Sequence, residues 1–293
     1  MKGGVCVGML QSVSVVGVVK EQLDKMVDDL EHRLDADVMA FVGPILHGCE
    51  HKIRAAVEMF QNRRDKLSIV LDTGGGVVEI VERMVDILRH HYDEIEFVIP
   101  DRAMSAGTVF AMAGDSIRMD YVACLGPIDP QIEKDGRLIP ALSYLVQYQR
   151  LIQKSAEGKL TAAEFAMLDK LDLAELHQFE EARALSMELL INWLARYKFK
   201  NWQVTETRGL EVSDELRASR AREIADNLSD NARWHSHGRG ISMKTLRDDL
   251  KLKIDDFGQD EDLSHSIRTY HIFLRDYMYR ERIEHFVHTR YYF

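Results

Sequence analysis

The 293-residue sequence predicts an α/β fold in which parallel strands alternate with helices, followed by a largely helical C-terminal part. Two observations indicate this architecture. Short β-rich runs and amphipathic helical patterns alternate in units of about thirty residues, which favours parallel pairing with right-handed crossovers. From Pro140 onward, long helical patterns with few breakers replace this alternation.

The predicted elements follow this division in order. The strands are apolar runs that end at a turn signal, namely Val38–Val42, Leu67–Leu71, Ile95–Ile99, Ser116–Met119 and Tyr121–Ala123. The helical patterns that alternate with them cover Gln22–Leu34, Glu50–Gln61, Val77–Leu88 and Ser105–Ala113. The C-terminal helical patterns cover Leu142–Ser155, Thr161–Lys198, Ser213–Leu228 and Asp262–His288.

Composition excludes several classes of protein. The net charge is -10 and there is no basic cluster, so nucleic-acid binding through phosphate contacts is not expected. The three cysteines, Cys6, Cys49 and Cys124, are far apart and form no CxxC pair. This pattern favours a reducing compartment, so we expect a cytoplasmic protein without a disulfide framework. No cofactor and no metal site is expected, because no cluster of metal-ligating residues supports the histidines.

The N-terminal segment Val5–Val19 is apolar but is interrupted by Gln11, Ser12 and Ser14. It is shorter than the roughly 20 apolar residues that span a bilayer as a helix. We interpret it as a buried strand or hairpin, with a cleaved or anchoring signal as the alternative. No integral membrane segment is therefore expected.

Two turns have the residue types of a reactive site. The run Gly74-Gly75-Gly76 lies between a predicted strand and a predicted helix, where glycine lets another backbone approach closely and leaves N–H groups able to hold an anion. Ser105 lies at the start of a short helix and is followed by the small residues Ala106 and Gly107, which leave room for a substrate carbonyl. A tight turn and an N-cap serine are the structural alternatives.

A nucleophilic serine needs a base, and no histidine occurs between His91 and His177. A histidine from farther along the chain remains open. A lysine whose amine is neutral fills the same role. The candidates are Lys134, Lys154 and Lys159, which follow the serine within about fifty-five residues. Of these, Lys154 lies on a predicted helix, which is a rigid support.

Three ordered motifs carry a resemblance to a known family. They are Asp72-Thr73-Gly74-Gly75-Gly76, Ala103-Met104-Ser105-Ala106-Gly107-Thr108 and Leu125-Gly126-Pro127-Ile128-Asp129-Pro130-Gln131. Together they resemble the serine dehydrogenase proteinase family, relatives of signal peptide peptidase A in the Clp-protease/crotonase superfamily. The resemblance is strongest over residues 36–160. It implies a Clp-protease/crotonase-like α/β fold of repeated ββα units with a helical C-terminal extension. The implied division is 1–35, an N-terminal strand and helix; 36–200, the peptidase core; and 201–293, the extension.

The resemblance also implies the site. Ser105 is expected to be the nucleophile, and the backbone N–H groups of Gly75 or Gly76 and of Ala106 are expected to form the oxyanion hole. Relatives of the signal peptide peptidase type have a lysine base roughly fifty residues after the serine, a spacing that Lys154 fits and Lys159 does not exclude. The family has proline before the paired glycines, where this chain has Gly74, so a looser turn is expected.

The function implied is that of a serine peptidase that cleaves peptide bonds through an acyl-enzyme with a Ser-Lys dyad. Its expected partners are a peptide or unfolded protein substrate and further copies of the same chain in a homo-oligomer. Two alternatives stay open at this point. One is a catalytically silent oligomeric scaffold of the same fold, and the other is a hydrolase of a non-peptide ester or thioester.

Overall fold

The computed structural model describes residues 14–128, 131–134, 137–205 and 209–293. The strands are β1 Asp37–Val42, β2 Lys66–Asp72, β3 Glu94–Val98, β4 Arg102–Ala103, β5 Ser116–Met119, β6 Cys124–Leu125, β7 Gln131–Lys134, β8 Arg137–Pro140, β9 Ile241–Ser242, β10 Asp255–Asp256 and β11 Phe286–Thr289. The helices are α1 Val15–Leu34, α2 Cys49–Glu58, α3 Val78–His91, α4 Ala106–Ala111, α5 Ala141–Ala156, α6 Ala162–Leu168, α7 Leu173–Trp193, α8 Asp214–Leu228, α9 Asn231–Trp234, α10 Met243–Asp248 and α11 Glu261–Glu281. A π-helical turn, Leu194–Lys198, extends α7.

The described strands form one main sheet with the order β10-β5-β3-β2-β1-β11. The pairs from β10 through β1 are parallel, and β11 is antiparallel to β1. A smaller sheet has the order β4-β6-β9 and lies beyond the carboxyl ends of the main strands, because β3 leads through a short loop into β4. This arrangement follows from the alternation of strands and helices in the sequence.

Helices cover both faces of the main sheet, because successive side chains along each strand point to opposite faces. The strand side chains on one face pack against α2, α3, α4 and α7, and they are Met39, Phe41, Ile69, Leu71 and Phe97. The other set packs against α1 and α11, namely Val38, Ala40, Val42, Val70 and Val98. A third, separate cluster joins α5 to α7 through Leu145, Leu176 and Phe179.

Three sequence predictions at the element level need correction. From Val15 onward the N-terminal segment is helical, so the strand interpretation is wrong there, and Val15 is 79% exposed rather than buried. The strand predicted at Tyr121–Ala123 begins later, at Cys124, because the Asp120 carboxylate accepts two N–H groups of a turn at this point. The terminal helix ends at Glu281 with Arg282 in a left-handed conformation, and a strand follows.

The C-terminal residues after 200 contribute β9, β10 and β11 to the two sheets, in addition to their helices. Helix α11 packs on α1 from about Val19 onward and over the sheet. The proposed division into three parts stays a prediction, but this packing makes α11 a cover of the sheet that carries the candidate site. Among the described residues, no helix combines the length and the apolar composition required to cross a bilayer.

Candidate active site

The glycine run continues directly from β2 at the carboxyl end of the main sheet. Thr73 donates its N–H to the Arg102 carbonyl at 2.9 Å, and its carbonyl accepts the Met104 N–H at 3.0 Å. The chain that follows β2 is therefore hydrogen-bonded to the segment that leads into Ser105. Two turns that are far apart in sequence are held side by side by backbone pairing.

Ser105 occupies a strained turn between β4 and α4. Its φ of 53° and ψ of -120° correspond to the first central position of a type II′ turn, which favours glycine. The turn is closed by the Gly107 N–H, which donates to the Met104 carbonyl at 2.8 Å. A non-glycine residue in such a conformation costs about 1–3 kcal/mol, and strain of this kind concentrates at functional sites. A serine on a sharp strand-to-helix turn is also the geometry of hydrolase nucleophiles.

Gly75 lies against this turn and has no space for a side chain. A Cβ at this position would lie 2.7 Å from the Met104 carbonyl oxygen and 2.9 Å from the Ser105 Cβ, and its φ is +96°. Gly76 has a φ of +149° and faces the backbone of Ile45 in the same way. By contrast, Gly74 has neither a positive φ nor a neighbour within 4 Å of an added Cβ. The close approach that the glycines permit is therefore made at Gly75 and Gly76.

The buried hydroxyl of Thr108 ties the serine turn to the third motif. It accepts the Gly126 N–H at 3.0 Å and lies 2.8 Å from the Ala103 carbonyl, to which it donates. Gly126 itself has no room for a Cβ, which would lie 2.7 Å from the Met104 Cε. The order of the three motifs in the sequence thus corresponds to three backbone segments in contact. Residues 129 and 130 of the third motif lie outside the described residues.

The predicted oxyanion-hole groups differ in their hydrogen bonding. The Gly75 N–H donates to the Thr73 hydroxyl at 3.0 Å. Among the described residues, neither the Gly76 N–H nor the Ala106 N–H has a hydrogen-bond acceptor. The Ala106 N–H is at the first position of α4, where no intrahelical acceptor exists. The structure brings Gly75, Ser105 and Ala106 together. Of the three N–H groups predicted for the oxyanion hole, those of Gly76 and Ala106 have no acceptor in the described part of the chain, and that of Gly75 is engaged by Thr73.

The two lysines predicted as base are both engaged in ion pairs. Lys154, on α5, has its Nζ 2.5 Å from Oε1 of Glu164, and its side chain is 35% exposed. Lys159 pairs with Glu157 at 2.9 Å and is 71% exposed. Hydrogen bonds from Lys154 and from Thr161 lower the pKa of Glu164 to about 2, so this carboxylate remains charged. Helix α5 packs in the separate cluster with α7, apart from the cluster that contains Ala106.

The register of the smaller sheet introduces a segment that sequence reasoning had assigned no catalytic role. Strand β9 is antiparallel to β6, with Ile241 opposite Leu125, and β4 is parallel to β6, with Ala103 opposite Leu125. The residues before Ile241 therefore leave the sheet at the end where β4 leads into Ser105. They include His235 and His237, and the ring nitrogens of His237 are shielded from solvent. The two-residue strand β9 holds one end of this loop, and the buried Trp234, whose Nε1–H donates to the Asn227 carbonyl at 2.7 Å, holds the other. No sequence pattern indicated the β9 pairing.

A sharp serine turn, a glycine turn against it and a parallel α/β sheet beneath them define the class of ClpP-like serine proteinases. The family model of the ClpP-like SDH-type serine proteinases matches residues 45–209, and the chain belongs to this family. The predicted family and the predicted α/β fold with a helical C-terminal region are therefore confirmed.

Two proteins of Methanocaldococcus jannaschii are similar to the chain, and both are described as uncharacterized. MJ1495 is 30% identical over 166 residues, which are 56% of this chain and 52% of that protein. MJ0137 is 40% identical over 70 residues, which are 24% of each chain. The chain thus spans about half the length of the first relative and a quarter of the second. A solved structure, a mutant of the 1510-N membrane-bound stomatin-specific protease, is 19% identical with a TM-score of 0.32, covering 41% of this chain and 63% of that one.

Proposed function

We propose that this protein is a serine peptidase in which Ser105 attacks the carbonyl carbon of a peptide bond. The observation that carries the proposal is the strained turn at Ser105, with a φ of 53°, held against Gly75. The fold gains nothing from a serine in a conformation that glycine favours, so the strain is better understood as the cost of presenting a hydroxyl. Family membership supports the same reaction.

The reaction runs through an acyl-enzyme. As the Ser105 Oγ bonds to the carbonyl carbon, its proton passes to a base and the carbonyl electrons move onto oxygen. The N–H groups of Gly76 and Ala106, which have no acceptor among the described residues, are the donors we assign to this oxyanion, with Gly75 as the close neighbour that shapes the turn. The protonated base then gives its proton to the leaving amine. Water, activated by the same base, hydrolyses the ester and releases the acid.

Lys154 is the base that the family resemblance implies. To serve, its Nζ has to leave Glu164 and reach Ser105, since a base has to offer a lone pair to the serine proton. Such a movement requires α5 to be repositioned by substrate or by a neighbouring subunit. Lys159 is subject to the same requirement with respect to Glu157.

His237 is a second candidate for the base, favoured by the register of β9. Its loop leaves the smaller sheet beside the serine turn without any rearrangement of α5. Histidine is also the side chain that most often serves as a general base in enzymes. The serine peptidase proposal stands with either base, and the two are separated by experiment.

Hydrolysis of an unfolded protein such as reduced casein tests the proposal. We expect the wild type to cleave it and Ser105→Ala to lose at least about 1,000-fold in rate, which is the scale on which nucleophile removal acts. Ser155→Ala, an exposed serine on α5, is the control and should retain full activity. Cleavage by Ser105→Ala at the wild-type rate contradicts the proposal. Turnover of p-nitrophenyl esters or thioesters without casein cleavage indicates the non-peptide hydrolase instead.

The base is identified with Lys154→Ala, Lys159→Ala and His237→Ala in the same assay. Loss of about 1,000-fold in one variant alone, with the other two within about threefold, identifies that residue. Retained activity in Lys154→Ala overturns the Ser-Lys dyad while leaving Ser105 as the nucleophile. If wild type and all variants are inactive with both substrates, the silent scaffold is the correct interpretation.

We also propose that the protein forms a homo-oligomer through its α5–α6 region. Large apolar side chains are exposed there, namely Val146, Ile152, Phe165, Met167 and Leu173. Phe165 and Met167 are 61% and 64% exposed on α6, and apolar side chains gathered on one surface are typical of a contact with another protein molecule. Light scattering on wild type and on Phe165→Ser/Met167→Ser is the test. A monomeric wild type contradicts the assembly.

A further inference from the structure

The carboxylate of Asp72 is buried at the point where β2 becomes the glycine turn. Its residue is 1% exposed, and its side chain faces α11 on the side of the sheet that α1 and α11 cover. An ionised carboxylate without partners at such a position costs several kcal/mol, so its partners decide whether the turn is stable in this place.

Both of its partners come from α11. The His271 Nε2–H donates to Oδ2 of Asp72 at 2.9 Å, and Nη1 of Arg275 donates to the same oxygen at 3.1 Å. The two residues are four apart, so they lie on one face of the helix. Among the described residues, no other group forms a hydrogen bond or ion pair with this carboxylate. Helix α11, Glu261–Glu281, lies outside the residues 45–209 that match the family.

A short path of hydrogen bonds joins Asp72 to the nucleophile. The next residue, Thr73, pairs through its backbone with Arg102 and Met104 and accepts the Gly75 N–H on its side chain. Met104 precedes Ser105, against which Gly75 packs. A shift of Asp72 is therefore transmitted to the donors that face the serine, and misplacement of catalytic groups by about 1 Å can reduce a rate about 100-fold.

We infer that His271 and Arg275 are positioning residues of the active site, which hold the glycine turn in register with Ser105 through Asp72. The inference rests on the proposed function. It makes α11 a part of the catalytic unit and assigns a role to a region that the family match does not cover. Neither residue touches substrate in this account, and each acts only through the Asp72 carboxylate.

The same helix provides a matched control. Arg268, also on α11, pairs with Asp120, whose residue is likewise 1% exposed. Asp120 differs because it also accepts the N–H groups of Val122 and Ala123 at 2.9 and 3.0 Å. Asp120 therefore keeps its two backbone hydrogen bonds when Arg268 is lost. Among the described residues, the Asp72 carboxylate accepts no backbone N–H and depends on α11 alone. Arg268→Gln thus weakens α11 to a similar degree without releasing the glycine turn.

Fluorophosphonate labelling of the full chain, with its rate and affinity constants separated, tests the inference. We expect His271→Ala and Arg275→Ala to lower the maximal labelling rate about 10-fold or more with unchanged probe affinity, and Arg268→Gln to stay within about threefold. His271→Gln keeps a donor near the Nε2 position, and Arg275→Lys keeps the charge, so both should recover most of the rate. Melting temperatures identify variants of equal stability for the comparison. Labelling of His271→Ala at the rate of Arg268→Gln overturns the inference.

Amide hydrogen exchange at Gly75 gives a readout that does not need the reaction. We expect faster exchange in His271→Ala and wild-type exchange in Arg268→Gln. If the wild type is not labelled at all, the proposed function fails, and the exchange rate at Gly75 alone decides whether α11 positions the glycine turn. Equal exchange rates in His271→Ala and Arg268→Gln overturn the positioning role of α11.

Should an alanine variant not fold, the same variant combined with Asp72→Asn removes the unpaired charge. That combination should fold and still exchange fast at Gly75.

Discussion

Around Ser105, three backbone segments are bonded to one another: Thr73 to Met104, Gly107 to Met104, and Gly126 through Thr108 to Ala103. Around Lys154, by contrast, a helix packs on α7 through a small separate cluster, and the lysine is bonded to the side chain of Glu164. The serine is fixed by the main chain, whereas the lysine is fixed by an ion pair that is partly open to solvent.

The position of Ser105 is therefore determined by backbone hydrogen bonds, and that of Lys154 by a side-chain contact. Main-chain pairing inside the core holds the Ser105 turn in one position, so the strain at Ser105 persists. A partly exposed ion pair contributes about 0–1 kcal/mol and is readily exchanged for another partner. The proposed nucleophile is therefore already in place, whereas a proposed base on α5 would have to move toward it and a proposed base in the loop before β9 would not.

The largest effect is expected from adding one methyl group to the fixed region. Gly75→Ala should reduce labelling and hydrolysis about 100-fold, because its Cβ would lie 2.9 Å from the Ser105 Cβ at a φ of +96°. The strain should also lower the free energy of unfolding by about 1–3 kcal/mol. Gly74→Ala is the control, since an added Cβ there meets nothing within 4 Å. Equal activity of the two variants in the casein assay would show that the Ser105 turn tolerates a displacement of Gly75.

Removal of the Thr108 hydroxyl should have the next largest effect. Thr108→Val removes the hydroxyl that bonds both the Gly126 N–H and the Ala103 carbonyl and leaves only their direct bond of 3.1 Å, which should lower the free energy of unfolding by about 1 kcal/mol. Urea denaturation measures the loss, and Thr108→Ser should restore most of it. A Thr108→Val protein as stable as the wild type would show that the Thr108 hydroxyl does not stabilise the contact between the third motif and the serine turn.

A smaller effect is expected from the recruited region. If Lys154 is the base, Glu164→Gln frees its Nζ and should raise the hydrolysis rate up to about 10-fold. If the base lies elsewhere, the rate should stay unchanged, since Glu164 packs on α5 and not on the serine turn. A fall in rate with folding intact would contradict both expectations.

Acid should destabilise the fold through His288, on β11, and leave the Lys154–Glu164 pair in place. Burial, only partly offset by Asp24, lowers the pKa of His288 to about 4 from an ordinary 6.5, so the folded state resists its protonation. The free energy of unfolding should fall by about 3 kcal/mol as the pH drops from 6.5 to 4. The Lys154–Glu164 pair should persist over this range, because the pKa of Glu164 is about 2. Denaturation of the wild type and of His288→Asn at several pH values measures this fall in the free energy of unfolding. An equal dependence of that free energy on pH in both proteins would exclude His288 as the cause.

The sequence was sufficient for the parts of the fold that local pattern determines. The strands around Ile69 and Phe97 and the helix after Gly76 are visible in the spacing of apolar residues, and the ordered motifs indicated the family. The close approach of Gly75 to Ser105 followed from the resemblance and needed no tertiary information. The oligomeric state and the compartment stay predictions.

What escaped prediction depends on pairing between distant segments. Strand β9 is two residues long and has no periodicity to detect, yet it brings the loop of His235 and His237 beside the serine turn. The Asp72 pairing with His271 and Arg275 spans about two hundred residues of sequence and involves ordinary-looking charges on an amphipathic helix. Such contacts are determined by how α11 docks on the sheet, which no local pattern records.

In the proposed function, the fold holds Ser105 ready to act as a nucleophile before substrate binds. The direct measurement is peptide mapping by mass spectrometry after the folded wild-type protein is treated with a fluorophosphonate. The account predicts one adduct, on the Ser105 hydroxyl, formed at native pH and absent from Ser105→Ala and from heat-unfolded protein. An adduct on another serine, or labelling of the unfolded chain at the same rate as the folded one, would contradict it.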